Sequence, residues 1–425
     1  MNIDKALERL YSLRQLGVKL GLHNIIKILD HLDNPQNDFK SIHVAGSNGK
    51  GSTASFIASI LMEAGFKVGL FTSPHYVKFN ERFRINGKMI SDDYIAGFIN
   101  ELEEYINNNE ITFFEISTAL GFKYFRDSNV DIAVIETGLG GRLDATNTLL
   151  PEASVITTIS LEHTKILGDT LEKVTAEKAG IIKNNSNVFI GDMATEAVNV
   201  LKSTADEKKS NSYDLKDYCE FNRDSLQLRL KNKTINLYTA PLRGYHQLKN
   251  AALAILTLNK SFEVENLDNI FDGINNVIDN CGIEGRYEVY SEKPKIIFDS
   301  AHNPQGMNAF VDEFKKEKNN YVNRIAVFGA MSDKNLDEMF RTFAPEFSKI
   351  FITTINTERA ASIDELKNTA EKINIEVEAI ENVENLIINF NKTNKNDCLV
   401  ILGSIYLVGE IKSKLSNKSR NDLTL

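Results

Sequence analysis

Cysteine, proline and long apolar runs are scarce in this sequence, and each scarcity excludes a class of protein. The three cysteines among 425 residues lie too far apart for a disulfide framework or a zinc cluster. Seven prolines and 24 glycines are too few for a collagen-like or linker-dominated chain. The longest apolar stretch, residues 398–411, is interrupted by glycine, serine and glutamate and is too short to cross a bilayer. The composition therefore predicts a globular protein of a reducing compartment.

Basic residues are also fewer than acidic residues. The chain has 49 Lys and Arg residues against 58 Asp and Glu residues, which argues against nucleic-acid binding but allows a local basic pocket for phosphate. The start of the chain mixes acidic and basic side chains and lacks the apolar segment of a signal peptide. We therefore expect a monomeric cytoplasmic protein that acts on small molecules, with neither a membrane nor a nucleic acid as partner.

Short β-branched runs recur along the chain, and each is followed by small or polar residues and then by a stretch of helical periodicity. This order is typical of parallel βαβ units. In open parallel sheets, ligands bind at the carboxyl ends of the strands, so we expect the chemistry along one sheet edge. The predicted strands are residues 42–44, 132–135, 155–159, 295–298, 325–328, 350–354 and 399–402.

Strand and helix alternate regularly from residue 295 onward, which predicts a complete small α/β domain there. Before it, Gly282 and Gly285 lie close together and Pro294 follows, a composition typical of a hinge. We therefore predict two domains, residues 1–290 and residues 291–425. Residues 184–238 are polar and strand-like and carry no recognisable motif. The predicted helices of the second domain are residues 307–316, 336–343, 363–372, 383–391 and 407–415.

The strongest functional signal is IHVAGSNGKGST at residues 42–53, followed by a helical run over residues 54–63. A strand, a glycine-rich turn and a helix in this order let backbone N–H groups converge on phosphate oxygens at the helix N-terminus. Lys50 adds a point charge, and Ser52 offers a hydroxyl to phosphate or metal. The strict P-loop pattern is not met, because position 44 is valine and Gly51 follows the lysine. We interpret the segment as a phosphate cradle, with an ordinary tight turn as the alternative.

Further polar residues follow other predicted strands. Glu136 comes directly after a buried strand, where its carboxylate can hold a divalent metal or cap nearby N–H groups. His163 and Lys178 belong to residue types that are more often packed or solvated than ligating, so a function for them requires proximity to the other motifs. Asp299 suits turn formation or helix capping at least as well as ligand contact. Residues 73–87 are too irregular for a core helix, and such loops usually cover a site.

Seven sequence blocks together resemble the folylpolyglutamate synthase and dihydrofolate synthase family, which belongs to the Mur-type ATP-dependent amide ligases. They follow the family's order and read HVAGSNGKGST, TSPHYVKFNERFRINGKMI, TFFEISTA, ETGLGGRLDATN, EKAGIIK, LRGYHQLKNAALA and DSAHNP. The resemblance implies a larger N-terminal P-loop-like ATPase domain with a mostly parallel sheet and a smaller Rossmann-like C-terminal domain. It also implies an active site between the two domains.

The resemblance implies roles for individual residues as well. The catalytic residues would be Lys50, Glu136, His163 and Lys178. ATP would be bound by Gly49, Lys50, Gly51, Ser52, Asn250, Arg286, Asp299 and His302. Two Mg²⁺ ions would be held by Ser73, Glu136, His163 and Lys178, the last as a carbamate, which turns a cation into an anionic oxygen ligand. The folate would be bound by residues 17–22 and by Ser73, His75, Phe79, Arg82, Asp144 and Ala145.

The implied reaction is ATP-dependent addition of L-glutamate to the terminal carboxylate of a (tetrahydro)folate through an acyl phosphate. Dihydrofolate synthase activity, with dihydropteroate as acceptor, uses the same machinery and stays open, alone or alongside chain extension. A cell-wall peptide ligase of the same superfamily is disfavoured by the block at residues 73–87. From another class, a nucleotide-binding switch or a kinase would act without ligation. Glu162 departs from the aspartate usual before the family's histidine, which affects the geometry around His163.

Overall fold

The computed structural model of the chain describes residues 2–17, 21–231, 233–393 and 395–422. Its helices are α1 (Ile3–Ser12), α2 (His23–His31), α3 (Lys50–Glu63), α4 (Asp92–Glu101), α5 (Glu103–Asn108), α6 (Phe113–Asp127), α7 (Thr164–Leu167), α8 (Leu171–Ala179), α9 (Thr195–Glu207), α10 (Leu215–Tyr218), α11 (Tyr245–Phe262), α12 (Leu267–Asn275), α13 (Val277–Cys281), α14 (Pro304–Phe314), α15 (Leu336–Phe343), α16 (Ile363–Lys372), α17 (Val383–Thr393) and α18 (Ile405–Asp422). Its strands are β1 (Lys40–Ala45), β2 (Val68–Phe71), β3 (Phe83–Ile85), β4 (Lys88–Met89), β5 (Ile132–Glu136), β6 (Ala153–Ile156), β7 (Asn187–Ile190), β8 (Asn211–Asp214), β9 (Cys219–Phe221), β10 (Leu226–Leu230), β11 (Lys233–Leu237), β12 (Glu288–Glu292), β13 (Lys295–Phe298), β14 (Arg324–Phe328), β15 (Lys349–Ile352), β16 (Glu378–Ala379) and β17 (Cys398–Leu402).

The chain divides into two compact units. The first unit consists of Met1–Pro74, Asn80–Pro241 and Gln247–Ile283. The second unit consists of two short segments, His75–Phe79 and Leu242–His246, and of Glu284–Leu425. The chain thus enters the second unit twice, briefly, before its last part belongs there. The functional domain boundary at residue 290 stays a prediction.

The larger sheet of the first unit brings the polar ends of three buried strands together. Its strand order is β4-β3-β2-β5-β1-β6-β7-β8, parallel from β2 to β8 and antiparallel at β3 and β4. The central strands are buried, β5 over its whole length and β1 from Ser41 to Ala45, as a sheet covered on both faces requires. Val44 pairs with Glu136, and Ala45 pairs with Ile156. The carboxyl ends of β5, β1 and β6 therefore lie side by side.

Helix α3, which follows β1, is buried on nearly every side. Its sequence, KGSTASFIASILME, alternates small and large residues, and residues 52–61 are buried throughout. Helix α12 crosses it closely, because a Cβ at Gly273 would lie 2.5 Å from Ile60 Cα. The Ser59 hydroxyl donates to the Gly273 carbonyl over 2.6 Å. This packing fixes where the N-terminus of α3 lies.

The predicted strand-like segment, residues 184–238, contains β7 to β11 but also two helices that were not predicted, α9 and the four-residue α10. Strands β9, β10 and β11 form a separate antiparallel sheet. Helix α9 packs Ala197, Leu201 and Ala205 inward, a spacing of one helical face that small and polar neighbours obscure in the sequence. None of the helices in the described ranges has the length and apolar content needed to span a membrane.

The second unit is a sheet with helices on both faces. Its strand order is β12-β13-β17-β14-β15-β16, parallel except for β12. Side chains alternate along each strand, so Ile297 packs in one core with α14 to α16, while Ile296 and Phe298 pack in another with α17 and α18. This is the Rossmann-like arrangement that was predicted.

Several predicted boundaries were wrong by a few residues. The run 155–159 continues past the end of β6, because residues 157 and 158 leave the sheet to bond the loop after β1. The predicted strand 350–354 likewise extends past the end of β15 at Ile352. Helix α3 begins at Lys50 rather than at residue 54, since the glycine-rich residues already adopt helical geometry there. The segment 73–87 is not only a loop, because it supplies strand β3.

Candidate active site

The loop between β1 and α3 contains two glycines that pack too closely for any side chain. Gly46 has a φ of +153°, and a Cβ at this position would lie 1.9 Å from Thr157 Oγ1. Gly49 has a φ of +85°, and a Cβ there would lie 2.7 Å from Asn250 Oδ1. Residues other than glycine rarely adopt such φ values. The loop backbone is therefore in direct contact with the end of β6 and with α11.

Hydrogen bonds fasten this loop to the residues that follow β6. The Ser47 N–H donates to the Thr158 carbonyl over 2.7 Å, and the Thr157 hydroxyl donates to the Asn48 carbonyl over 2.7 Å. Ser47 Oγ accepts from the Ser160 N–H over 2.9 Å. Helix α3 starts directly after the loop, so the positive end of its dipole faces the same region. The loop is thereby preorganised to bind an anion.

Two lysines bind the same backbone carbonyl at this loop. Lys50 Nζ lies 2.9 Å and Lys178 Nζ 2.8 Å from the Gly46 oxygen. Lys178 is 1% exposed and also donates to Glu162 Oε1 over 2.9 Å. Burial lowers the pKa of Lys178 to about 8, and the charge of Lys50 acts in the same direction. Burial raises the pKa of Glu162, but the charges of Lys178 and Lys50 outweigh it and hold that pKa at about 2.

Glu136, the last residue of β5, lies beside the first turn of α3. Its side chain is buried, and its Oε2 accepts from the Ser73 N–H over 2.9 Å. A Cβ at Gly51 would lie 3.6 Å from the same oxygen. The structure therefore brings Glu136, Ser73 and the start of α3 together, Ser73 being placed there by β2, a strand that was not predicted.

Two of the predicted metal ligands, Glu136 and Ser73, offer the oxygen donors that Mg²⁺ prefers. Glu136 supplies a buried carboxylate, and Ser73 lies next to it. His163 begins α7 with a φ of +49°, and its charge contributes to the low pKa of Glu162. Within the described residues, no three His, Cys, Asp or Glu side chains form a metal-binding group. The predicted set depends instead on a hydroxyl and a modified lysine, and with Lys178 as a carbamate it fits magnesium.

Residues 138–147, which include two of the predicted folate residues, form a loop fixed to the end of α8. The Arg142 N–H donates to the Glu177 carbonyl over 2.7 Å. The Asn147 amide donates to the Gly180 carbonyl over 3.0 Å. Because α8 also carries the buried lysine, this loop and that lysine belong to one rigid part of the first unit.

The predicted folate residues are divided between the two units. Arg82 is buried, with its guanidinium carbon 5.3 Å from the centre of the Phe113 ring. Of residues 17–22, residues 18–20 lie outside the described part of the chain. The first unit contains Ser73, Arg82, Asp144 and Ala145, and the second unit contains His75 and Phe79, whose ring centres are 5.9 Å apart.

Three predicted nucleotide residues belong to the second unit. Arg286 Nη1 donates to the Tyr76 hydroxyl over 2.6 Å. Asp299, directly after β13, accepts from two backbone N–H groups over 2.7 and 2.8 Å, and burial raises its pKa to about 6. His302 Nδ1 lies 2.9 Å from the Ser300 carbonyl oxygen. Hydrogen bonds within the second unit thus fix all three residues.

Two known protein families match the chain. The Mur ligase middle domain matches residues 44–258, and the Mur ligase, glutamate ligase domain, matches residues 285–405. The dihydrofolate synthase/folylpolyglutamate synthase of Bacillus subtilis is 34% identical over 422 residues, which cover 94% of this chain and 96% of that protein. The chain belongs to this family of Mur ligases.

Solved structures of this ligase family have the same fold. The crystal structure of folylpolyglutamate synthase from Thermotoga maritima has a TM-score of 0.83 and 32% identity and covers 97% of both chains. A bifunctional folylpolyglutamate synthase/dihydrofolate synthase with Mn, AMPPNP and L-glutamate bound has a TM-score of 0.84 and 26% identity, over 97% of this chain and 98% of that one. The predicted α/β fold and the ATP-dependent ligase activity are confirmed.

Three side chains that contact predicted site residues or their neighbours were not singled out in the sequence. Gln247 accepts from the Asn250 amide over 3.0 Å and so orients it. Tyr76 holds Arg286. His43 is buried in β1, and a histidine within an apolar strand was a signal that could have identified it. For Tyr76 the local sequence carries no such signal, because its partner Arg286 is distant in the chain. Gln247 lies three residues before Asn250 on α11, a helical spacing that could have indicated their contact.

Replacing Gly49 by alanine should weaken ATP binding, whereas replacing Gly65 by alanine should not. Their φ values are +85° and +88°, so each substitution forces an L residue into the left-handed region at a cost of about 1 kcal/mol. Only at position 49 does the new Cβ meet a neighbour, Asn250. We expect Gly49→Ala to lose at least as much thermal stability as Gly65→Ala, and a KM for ATP raised about tenfold in Gly49→Ala alone. Equal KM values in the two variants would remove Gly49 from the nucleotide site.

Proposed function

We propose that this ligase adds L-glutamate to the terminal carboxylate of folates, tetrahydrofolate included, in a reaction driven by ATP. The arrangement at the end of β1 carries the proposal. There a preorganised glycine loop, two lysines on the Gly46 carbonyl and the buried Glu136 surround the first turn of α3. Such a turn binds nucleotide phosphates, and Lys50 supplies the positive charge that a transferring phosphoryl group requires.

Joining a carboxylate to an amine in water is uphill, so the carboxylate must first be activated. A carboxylate oxygen of the folate attacks the γ-phosphorus of ATP, the bond to the bridging oxygen breaks, and ADP leaves behind an acyl phosphate. The neutral α-amine of glutamate then attacks the acyl carbon. The bond from this carbon to the phosphate oxygen breaks, inorganic phosphate leaves, and the nitrogen loses a proton. The products are the amide, ADP and phosphate.

The chain's own residues bind and orient the phosphoryl group. Loop N–H groups and Lys50 surround the oxygens on which charge develops, which is electrostatic catalysis. Lys50 Nζ now bonds the carbonyls of Gly46 and Ser47, so it must exchange these oxygens for phosphate oxygens when ATP binds. Two Mg²⁺ ions would add Lewis-acid stabilisation of that charge, held by Ser73, Glu136, His163 and carbamylated Lys178.

A carbamate on Lys178 agrees with the charges around this residue. An amine reacts with carbon dioxide only in its neutral form, and a pKa of about 8 leaves about a tenth of Lys178 neutral at neutral pH. The modification would place a second anion beside Glu162, which now pairs with the lysine. Two buried anions side by side require a cation between them. We therefore propose that carbamylation and metal binding depend on each other.

The remaining assignments follow from family resemblance. We assign the ATP contacts to Gly49, Lys50, Gly51, Ser52, Asn250, Arg286, Asp299 and His302. We assign the folate contacts to residues 17–22 and to Ser73, His75, Phe79, Arg82, Asp144 and Ala145. We also propose that residues 1–290 and 291–425 are the functional domains, and that the ligase acts as a cytoplasmic monomer without a nucleic-acid or membrane partner.

Dihydrofolate synthase activity is a second candidate, because the name of the Bacillus subtilis relative includes both activities. It would use the same acyl-phosphate chemistry with dihydropteroate as the acceptor. The glutamate-binding and phosphate-binding parts would be unchanged, so only the acceptor distinguishes the two reactions.

Purified protein with ATP, Mg²⁺, glutamate and either tetrahydrofolate or dihydropteroate tests both candidates. We expect ADP release that requires glutamate and an acceptor, with a glutamate adduct of tetrahydrofolate identified by mass. An adduct of dihydropteroate as well would show a bifunctional ligase. ADP released equally without glutamate and acceptor would indicate a nucleotide switch or a kinase and contradict the proposal.

Lys50→Ala should lower glutamate-dependent ADP release at least about 10²- to 10³-fold, because it removes one group that stabilises the transferring phosphoryl. Circular dichroism should show an intact fold. Lys173→Ala is the matched control, since this lysine is exposed and pairs only with Asp169 among the ion pairs of the described residues. We expect the control to retain its rate. A near-normal rate in Lys50→Ala would refute its assignment.

Lys178→Ala should lose most activity and regain part of it when short carboxylic acids are added, because an acid can replace the carbamate oxygens. In the wild type, ¹³C-bicarbonate should produce a carbamate signal by NMR that grows with Mg²⁺. The signal should vanish in Lys178→Ala and persist in Lys183→Ala, although burial also lowers the pKa of Lys183 to about 8. Full activity of Lys178→Ala without added acid would end the carbamate proposal.

A further inference from the structure

A buried histidine in the strand before the phosphate loop has no part in the proposed phosphoryl transfer. His43 lies in β1 between Ile135 and Ser154 of the neighbouring strands and is fully buried. Its Nε2 lies 2.8 Å from Thr146 Oγ1, and this oxygen lies 2.5 Å from Asp144 Oδ1. A chain of two hydrogen bonds thus runs from β1 to the loop of residues 138–147.

The direction of these hydrogen bonds follows from the partners. The Thr146 hydroxyl has one proton and donates it to the Asp144 carboxylate. Thr146 Oγ1 is then an acceptor toward His43, so the His43 Nε2 carries the N–H. Burial, and then the charge of Lys183, lower the pKa of His43 to about 3, which keeps the ring neutral. His43 is therefore the first donor in the series of hydrogen bonds from His43 through Thr146 to Asp144.

The other ring nitrogen indicates that His43 does not serve stability. Its Nδ1 is buried and has no hydrogen-bond partner within the described part of the chain. With the proton on Nε2, Nδ1 is a desolvated acceptor, and such a group normally destabilises a folded protein. An apolar side chain in β1 would fill the same core space without this cost.

Asp144, the last acceptor in this series of hydrogen bonds, fixes two points of the loop of residues 138–147. Its Oδ2 accepts from the Leu139 N–H over 2.7 Å, and its Oδ1 also accepts from the Thr146 N–H over 3.0 Å. The loop is fixed to α8 at two further points. A change in the orientation of the Asp144 carboxylate therefore changes the shape of the segment that includes Ala145.

We propose that His43 is a positioning residue for the folate substrate, acting through the Thr146 hydroxyl on the Asp144 carboxylate and its loop. The proposal rests on the proposed function, because folate is the ligand assigned to Asp144 and Ala145. It gives His43 no role toward ATP, although His43 lies only three residues before Gly46. Loss of the Nε2 donor should therefore weaken folate binding and leave ATP binding unchanged.

Paired variants of the full-length ligase test this role. His43→Leu and Thr146→Val each remove one hydrogen-bonding group, whereas Thr146→Ser keeps the hydroxyl. Thr257→Val is the matched control, since this buried threonine donates to the Leu253 carbonyl of its own helix. We expect His43→Leu and Thr146→Val to raise the KM for folate about tenfold, with the KM for ATP unchanged. The thermal midpoint should not fall in His43→Leu, which removes the unpaired Nδ1, whereas Thr146→Val should lower it because two buried partners lose a hydrogen bond. Thr146→Ser should restore the folate KM, and the control should not change it.

Each other result overturns the proposal in a recognisable way. An unchanged folate KM in both His43→Leu and Thr146→Val, with an active wild type, removes the positioning role and leaves the proposed function intact. If His43→Leu raises the KM for folate and the KM for ATP together and also lowers the thermal midpoint, His43 has a structural role. If His43→Leu does not fold, Thr146→Val against Thr146→Ser decides alone. A wild type that adds glutamate to no folate refutes the proposed function before any variant is compared.

Discussion

The carbonyl oxygen of Gly46 accepts hydrogen bonds from both Lys50 and Lys178, and the rest of the site depends on this shared contact. Two ammonium groups beside one carbonyl repel each other, and the carboxylate of Glu162 offsets only part of that repulsion. This repulsion favours the neutral form of the buried Lys178, which carbamylation requires, and Lys50 keeps the positive charge that favours binding of a polyphosphate. A loop of this shape requires glycine, because the Cβ of any other residue at position 46 would overlap Thr157.

The fold holds these charges in place through rigid neighbours. Helix α3 is buried almost all round, so its N-terminus cannot move away from the loop without disturbing the core. The loop of residues 138–147 is fixed to α8, the helix that carries Lys178. The predicted phosphate, metal and folate residues of the first unit are thus supported by a few elements that pack on one another. Preorganisation of this kind is what electrostatic catalysis requires.

Features set by local sequence could be predicted, and features set by contacts between distant residues could not. The runs of β5, β13 and β17 are almost wholly apolar, and the glycine loop after β1 carries its lysine and its helix within a few residues, so both were predictable. Helix α9 was missed because its apolar face is made mostly of alanine and valine. The predicted strand 155–159 extended past the end of β6, because hydrogen bonds to the loop between β1 and α3 outweigh strand propensity at residues 157 and 158. Contacts such as Tyr76 with Arg286 and His43 with Thr146 join residues far apart in the sequence, so they arise only after folding.

The most direct test of phosphoryl transfer at the loop between β1 and α3 is to measure whether an oxygen of the folate carboxylate appears in the released phosphate. A folate whose terminal carboxylate contains ¹⁸O is incubated with the ligase, ATP, Mg²⁺ and glutamate, and the released phosphate is analysed by mass. If an acyl phosphate forms, one carboxylate oxygen leaves with the phosphorus when the amide is made, and we expect singly labelled phosphate in step with product. Unlabelled phosphate alongside full amide formation would contradict an acyl phosphate made from ATP at the Gly46 loop.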